Sequence, residues 1–180
     1  MGIFNQRLYK ICIVGDGAVG KTTILHQYVD GKFMENTSMT IGTNFFIKGI
    51  VINELNVKAK LQIWDLSGQY HFAAIRPVFY QGATGIIYTF DLTRINTLNN
   101  LINWKMEIEK VLDNKIPSIL IGNKLDLVNI NEKLPDSKEI QTFRDKLGFS
   151  EYFETSAKDN VGIDEAFRRL TLEIYNFLQK

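Results

Sequence analysis

The chain has 180 residues, of which 45% are apolar and 23% charged, and its 21 basic and 20 acidic side chains leave a formal net charge of +1. That length suits one globular domain spanning 1–180, able to bury a core without staples, and excludes two large ones. The near-balanced charge lacks the cationic surplus that drives binding to nucleic-acid backbones or anionic membranes, and the single cysteine, Cys12, excludes an internal disulfide and points to a reducing, cytoplasmic compartment.

In chain order, Met1-Gly2 resembles the start of an N-myristoylation signal, but Gln6 stands where that pattern wants Ser or Thr. The β-branched run 8–14 reads as a strand, followed by a glycine-rich turn and then by Ile24, Leu25, Tyr28 and Val29 on one helical stripe. Cys12, inside that strand, reads as a small buried hydrophobe. Runs 45–52 and 57–65 are strand-like, and the polar link Asn53-Glu54-Leu55-Asn56 is short enough for a hairpin, so this pair is expected to be antiparallel. Runs 86–91 and 119–123 are apolar without alternation, as in strands buried on both faces of a parallel sheet, which places them in its middle.

Between those two runs, Leu101, Trp104, Ile108, Val111 and Leu112 recur at helical spacing, and Pro117 blocks any continuation. Ser137 reads as the N-cap of a helix carrying Ile140, Phe143 and Leu147, with Gly148 just past its end. A short strand at 152–155 precedes a helix that sets Ile163, Ala166, Phe167, Leu170, Ile174, Phe177 and Leu178 on one face. The expected fold is therefore α/β, a mixed six-stranded sheet with one antiparallel edge strand, flanked by about five helices. No apolar stretch approaches the roughly 18 residues of a membrane span, and the end Phe177-Leu178-Gln179-Lys180 offers no prenylatable cysteine, so neither a span nor a lipid anchor is expected.

Gly15-Asp16-Gly17-Ala18-Val19-Gly20-Lys21-Thr22 matches G-x-x-x-x-G-K-[ST] between a predicted strand and a predicted helix, the context that gives the motif meaning. Glycines let backbone N–H groups curl around phosphate oxygens, and the helix N-terminus adds partial positive charge. Lys21 would reach the β- and γ-phosphates, and Thr22 offers Mg²⁺ a hard oxygen ligand. A phosphate cradle leaves ATP and GTP, kinase and switch, open. Asn123-Lys124-Leu125-Asp126 follows a buried strand, so it emerges at the carboxyl end where ligands bind in open α/β sheets. Guanine offers the Asp126 carboxylate two donors, N1–H and the 2-amino group; adenine offers neither and would leave a desolvated charge unpaired.

With Thr40-Ile41-Gly42, Lys60-Leu61-Gln62-Ile63-Trp64-Asp65-Leu66-Ser67-Gly68-Gln69, Phe79-Tyr80-Gln81-Gly82-Ala83 and Glu154-Thr155-Ser156-Ala157-Lys158 in the same order, the chain resembles a small GTPase of the Ras superfamily, closest to the Rab branch. The resemblance implies a three-layer P-loop NTPase fold that binds GTP or GDP with Mg²⁺ and hydrolyses GTP to GDP. Its metal residues would be Thr22, Thr40 and Asp65, the last holding the ion through water. It implies that Gly68 donates its N–H to the γ-phosphate and that Gln69 orients the attacking water, with Lys21 and Thr40 completing the catalytic set. Residues 15–22 and Thr23 would hold the phosphates. Phe33 would pack on the guanine edge, Lys124 along the base beside Asn123 and Asp126, and the backbone of Ala157, between Ser156 and Lys158, would meet the guanine carbonyl oxygen.

Residues 31–40 contain Lys32 but no arginine, so no finger is supplied from within, and slow turnover is expected, on the order of once per hour for a relative lacking that arginine. An activating protein, an exchange factor and effectors follow as partners, for a chain expected to act as a monomer in a Rab-like trafficking role. Loops held through Thr40 and Gly68 would relax once the γ-phosphate leaves, with an effector surface at 41–47 and in the loop after Gln69.

Three departures from the family pattern stand out. Tyr70-His71-Phe72 replaces the usual acidic residue after the glutamine, which bears on exchange-factor recognition, and His71 itself reads as polar surface. Leu66-Ser67 replaces the usual Thr-Ala, a change expected to alter loop packing and not chemistry. Around Thr37-Ser38-Met39 the usual aromatic cover of the γ-phosphate is absent. Rab-like chains also usually continue into a lipid-bearing tail, which would give peripheral membrane association. A nucleotide-locked binding module without turnover is the rival reading, and a kinase of small metabolites a third.

Overall fold

The computed structural model describes residues 5–35, 38–112, 115–128 and 137–180. Six strands, β1 (Asn5–Val14), β2 (Thr43–Ile52), β3 (Val57–Leu66), β4 (Gly85–Asp91), β5 (Ser118–Asn123) and β6 (Tyr152–Thr155), form one sheet in the order β2-β3-β1-β4-β5-β6. β2 pairs antiparallel with β3 at the edge, and all other pairs are parallel, as expected. The link at 53–56 is a 3₁₀ turn closed by Asn56 in the left-handed region, a conformation its short amide side chain tolerates. β4 and β5 are buried along their whole length, which is why their sequences do not alternate.

Helices cover both faces. On one, Ile11, Ile13, Leu61, Ile63 and Ile87 pack under α1 (Lys21–Asp30) and α6 (Ile163–Leu178), where the rings of Tyr28 and Phe167 stack 3.9 Å apart. On the other, Cys12, Val14, Tyr88, Phe90 and Leu120 pack under α4 (Leu101–Glu109) and α5 (Ser137–Leu147). Burial pushes the Cys12 thiol up to about 12, so it is the inert hydrophobe its place in the strand implied. Two short helices, α2 (Arg76–Tyr80) and α3 (Ile95–Asn99), were not foreseen; α3 runs into α4 through Asn100, whose backbone stays right-handed, so five helical units flank the sheet.

Beyond one-residue differences at the ends of β3, β4 and β5, the larger departures from expectation each have a physical reason. β1 starts at Asn5 because polar Asn5, Gln6 and Arg7 pair by backbone with Val57, Lys58 and Ala59, which no apolar pattern reveals. β2 likewise starts at Thr43, opposite Leu66. α4 ends at Glu109, well before Pro117, because the N–H groups of Val111 and Leu112 both turn back to the Ile108 carbonyl. In α6 burial stops at Ile174, and Phe177 and Leu178 are exposed. Gly148 takes the left-handed C-cap of α5 as read. Met1-Gly2, Thr37 and the side chain of Ser137 lie outside the described residues. Among the described residues no helix is long and apolar enough to cross a membrane.

Candidate functional site

Val14, Leu66, Asp91, Asn123 and Thr155 end five strands along one rim of the sheet, and a cavity of about 400 Å³ opens beyond it. Its floor is the turn between β1 and α1. Gly20 there has φ 95°, and a Cβ on it would lie 2.3 Å from Nδ2 of Asn123, so glycine alone fits. No side chain caps the first turn of α1, which leaves its N–H groups to face the cavity. Gly17, Ala18, Gly20, Thr22 and Thr23 line this wall. Gly15 and Val19 lie beneath it, and the Asp16 carboxylate turns away to accept Trp104 Nε1 at 2.8 Å and Asn100 Nδ2 at 2.6 Å.

Lys21 also lines the cavity, with only 6% of its surface exposed, and its ammonium donates to the carbonyls of Gly15 at 2.7 Å and Asp16 at 2.9 Å. Burial lowers its pKa to about 8, against the opposing pull of Asp65 and Asp16. Phosphate oxygens favour the charged amine, so above pH 8 binding of a phosphate-bearing ligand is expected to take up a proton. Affinity should then fall as pH rises, by up to about tenfold per unit. Calorimetry at pH 7 and pH 9 in buffers of different ionisation enthalpy measures the uptake. Uptake should be present only at the higher pH and should vanish in Lys21→Arg, which stays charged.

Beside the lysine, Thr22 Oγ1 donates to Asp65 Oδ2 at 2.6 Å and lies 2.8 Å from Thr40 Oγ1, which itself approaches the same carboxylate oxygen at 3.4 Å. Asp65 is fully buried, and among the described residues its Oδ1 has no hydrogen-bond partner. Burial raises its pKa, partly offset by Thr22 and Lys21. Two hydroxyls and one carboxylate with a spare buried oxygen fit Mg²⁺, which takes hard oxygen ligands and usually needs few from protein. Among the described residues no cluster of three or more His, Cys, Asp or Glu exists, so the donor set does not suit a metal that needs a full protein cage. Gly68 and Gln69 complete this wall; a Cβ on Gly68 would fall 2.3 Å from both the Asp16 carbonyl carbon and the Gly17 nitrogen, so the loop after β3 lies directly against the phosphate loop.

The opposite wall carries residues from 123–126 and 157–158. Asn123 donates its amide to the Val19 carbonyl at 2.9 Å and accepts Thr155 Oγ1 at 3.1 Å, so it fastens the phosphate loop to β5 and β6. Lys124, left-handed at φ 70°, pairs with buried Asp91 at 2.8 Å. Asp126 accepts Ser156 Oγ at 2.8 Å, and Ser156 in turn accepts the Asp159 N–H, which aims the carboxylate. Ala157 and Lys158 line the same wall, and Phe33 stands half-exposed at the rim.

Sequence reasoning missed Asp91, Arg94, Arg76 and the polar role of Trp104. Asp91 ends buried β4 and holds both Lys124 and Arg94, whose Nη2 reaches the Gly17 carbonyl at 3.2 Å. A carboxylate at the end of an apolar strand, and a lone arginine in the apolar run 73–80, were the available signals.

Comparison with known proteins shows a family. The family model described as Ras family matches residues 10–176. Ras-related protein Rab-2B of Dictyostelium discoideum is 38% identical over 174 residues, covering 97% of this chain and 84% of the relative. The GTP-binding protein yptV2 of Volvox carteri is 41% identical over 160 residues, covering 89% and 72%, and Ras-related protein RABD2c of Arabidopsis thaliana is 35% identical over 167, covering 93% and 80%.

Proposed function

The chain belongs to the Ras family of small GTPases, with Rab proteins among its relatives, and we propose that it is a guanine-nucleotide switch that binds GTP or GDP with Mg²⁺ and slowly hydrolyses GTP. The observation that carries this reading is the convergence, in one cavity, of the Thr22–Thr40–Asp65 cluster and Lys21 with an oriented Asp126 across from them. One end fits a polyphosphate and the other fits a base with two adjacent donors.

In this reading residues 15–22 and Thr23 cradle the phosphates, and Thr22, Thr40 and Asp65 hold the metal. Mg²⁺, when bound, neutralises charge on the β- and γ-phosphate oxygens. Lys21 adds a second positive charge, and Gly68 offers its N–H to a γ-phosphate oxygen. Gln69 orients water for in-line attack: the water oxygen bonds to the γ-phosphorus, the bridging P–O bond breaks with its electron pair left on the GDP oxygen, and the water's proton passes to the phosphate that leaves. Asn123, Lys124, Asp126, Ser156, Ala157, Lys158 and Phe33 enclose the base. Loss of the γ-phosphate frees the Thr40 and Gly68 loops.

Around those loops Ile41 is 82% and Tyr70 91% exposed, with Met39, Phe45 and Ile47 beside them, an apolar surface suited to effectors that sense the nucleotide. Exchange and activating proteins, a cytoplasmic monomer of one domain over 1–180, and a Rab-like role at membranes follow from the family resemblance. Acid extraction of the purified protein tests the base assignment. Chromatography of the extract is expected to yield guanine nucleotide at close to one per chain. Adenine nucleotide in its place would contradict the reading.

A further inference from the structure

We infer that Arg76 is a positioning residue for Gln69, holding the main chain of the hydrolytic glutamine from the core side and linking its loop to the phosphate loop through Trp104. The inference rests on the hydrolysis reading above. Arg76 opens α2 and is only 6% exposed. Its Nη1 donates to the carbonyls of Gln69 at 3.1 Å and Ser67 at 3.3 Å, while Nε and Nη2 grip both oxygens of Glu107 at 2.8 and 2.7 Å. Tyr80 donates to the same glutamate at 2.6 Å. The guanidinium lies 4.1 Å from the centroid of the Trp104 ring, and Trp104 is the residue that donates to Asp16 in the phosphate loop.

The consequence for Gln69 is geometric. Its carbonyl accepts Arg76 Nη1 at 3.1 Å and the Phe72 N–H at 3.2 Å, and its N–H donates to Ser67 Oγ at 3.3 Å, an acceptor that an alanine there would lack. With both main-chain groups held, the direction of the Cα–Cβ bond is fixed, and with it the space the carboxamide can sweep. Tyr70, the next residue, is almost fully exposed, so among side chains the hold on this carbonyl comes from Arg76 on the inner side. Burial alone would lower the Arg76 pKa and raise that of Glu107, but their pairing outweighs it and moves both the other way. The pair therefore stays charged at neutral pH. Removing one partner of a buried ion pair leaves the other uncompensated, so stability is read beside the rates. A lysine has no planar fork and cannot grip Glu107 with two donors while reaching two carbonyls.

The test places Arg76→Lys and Glu107→Gln in the parent and in a Gln69→Leu background. Single-turnover GTP hydrolysis, GDP dissociation and thermal melting are followed for each. Both variants are expected to slow hydrolysis about tenfold when Gln69 is present, to leave GDP dissociation within about twofold, and to add nothing on top of Gln69→Leu. Glu107→Gln, nearly isosteric, keeps the test open if Arg76→Lys melts too low to assay. Parent rates in both variants would overturn the inference, as would slowing that persists in full beside Gln69→Leu, or GDP release accelerated as much as hydrolysis is slowed. Gln69→Leu turning over at the parent rate would remove the hydrolysis reading and the inference with it. A slow Gln69→Leu beside unimpaired Arg76→Lys and Glu107→Gln overturns the inference alone.

Discussion

Replacing Asp126 with alanine is expected to weaken GTP binding by about 100-fold or more while leaving weak ATP binding unchanged. The side chain is a carboxylate lining the cavity wall opposite the Lys21 cluster, and Ser156 fixes its direction from 2.8 Å. Hydrogen bonds to a charged acceptor are each worth about 1.5–3 kcal/mol, and guanine would lose two of them, so a loss of at least about 3 kcal/mol follows. ATP never made those bonds and has nothing to lose. Competition of both nucleotides for the parent and the variant measures the ratio, and an unchanged preference for GTP would show that another residue reads the base.

Gln69→Leu is expected to slow GTP hydrolysis by about 10- to 100-fold while GDP affinity stays the same, because in the proposed reading the residue orients water and adds nothing to ground-state binding. Leucine fills a similar volume without a polar end. Gln69 is part-exposed on the cavity wall beside Gly68, so the change leaves the core untouched. A variant that lost nucleotide affinity in step with rate would instead mark Gln69 as a binding residue.

Much of the site was readable because its parts are local. The glycine pattern of 15–20 reports a turn that only particular backbone angles allow, and the unalternating runs 86–91 and 119–123 report strands covered on both faces. That their carboxyl ends share a rim follows from parallel topology, which brought the residues 123–126 and 15–22 together without any contact being known. What stayed hidden was pairwise. Asp16 meets Trp104, and Lys124 meets Asp91, across long stretches of sequence, and no periodicity encodes a side-chain hydrogen bond between two helices or loops. Trp104 sits on the apolar stripe of α4 and was read as core, which its ring is, while its N–H does separate work at the phosphate loop. Polar strand ends such as Asn5 to Arg7 were missed for the same reason, since their structure comes from the neighbouring strand's backbone.

The central claim is that this cavity turns GTP over, and single-turnover hydrolysis tests it most directly. Protein loaded with GTP and Mg²⁺ is freed of excess nucleotide and sampled over hours for bound GDP, with an ATP-exposed sample in parallel. The expected result is complete conversion of bound GTP to GDP on the order of once per hour, with no nucleotide retained from ATP. GTP still intact after a day would contradict the account and leave a protein that holds the nucleotide without using it.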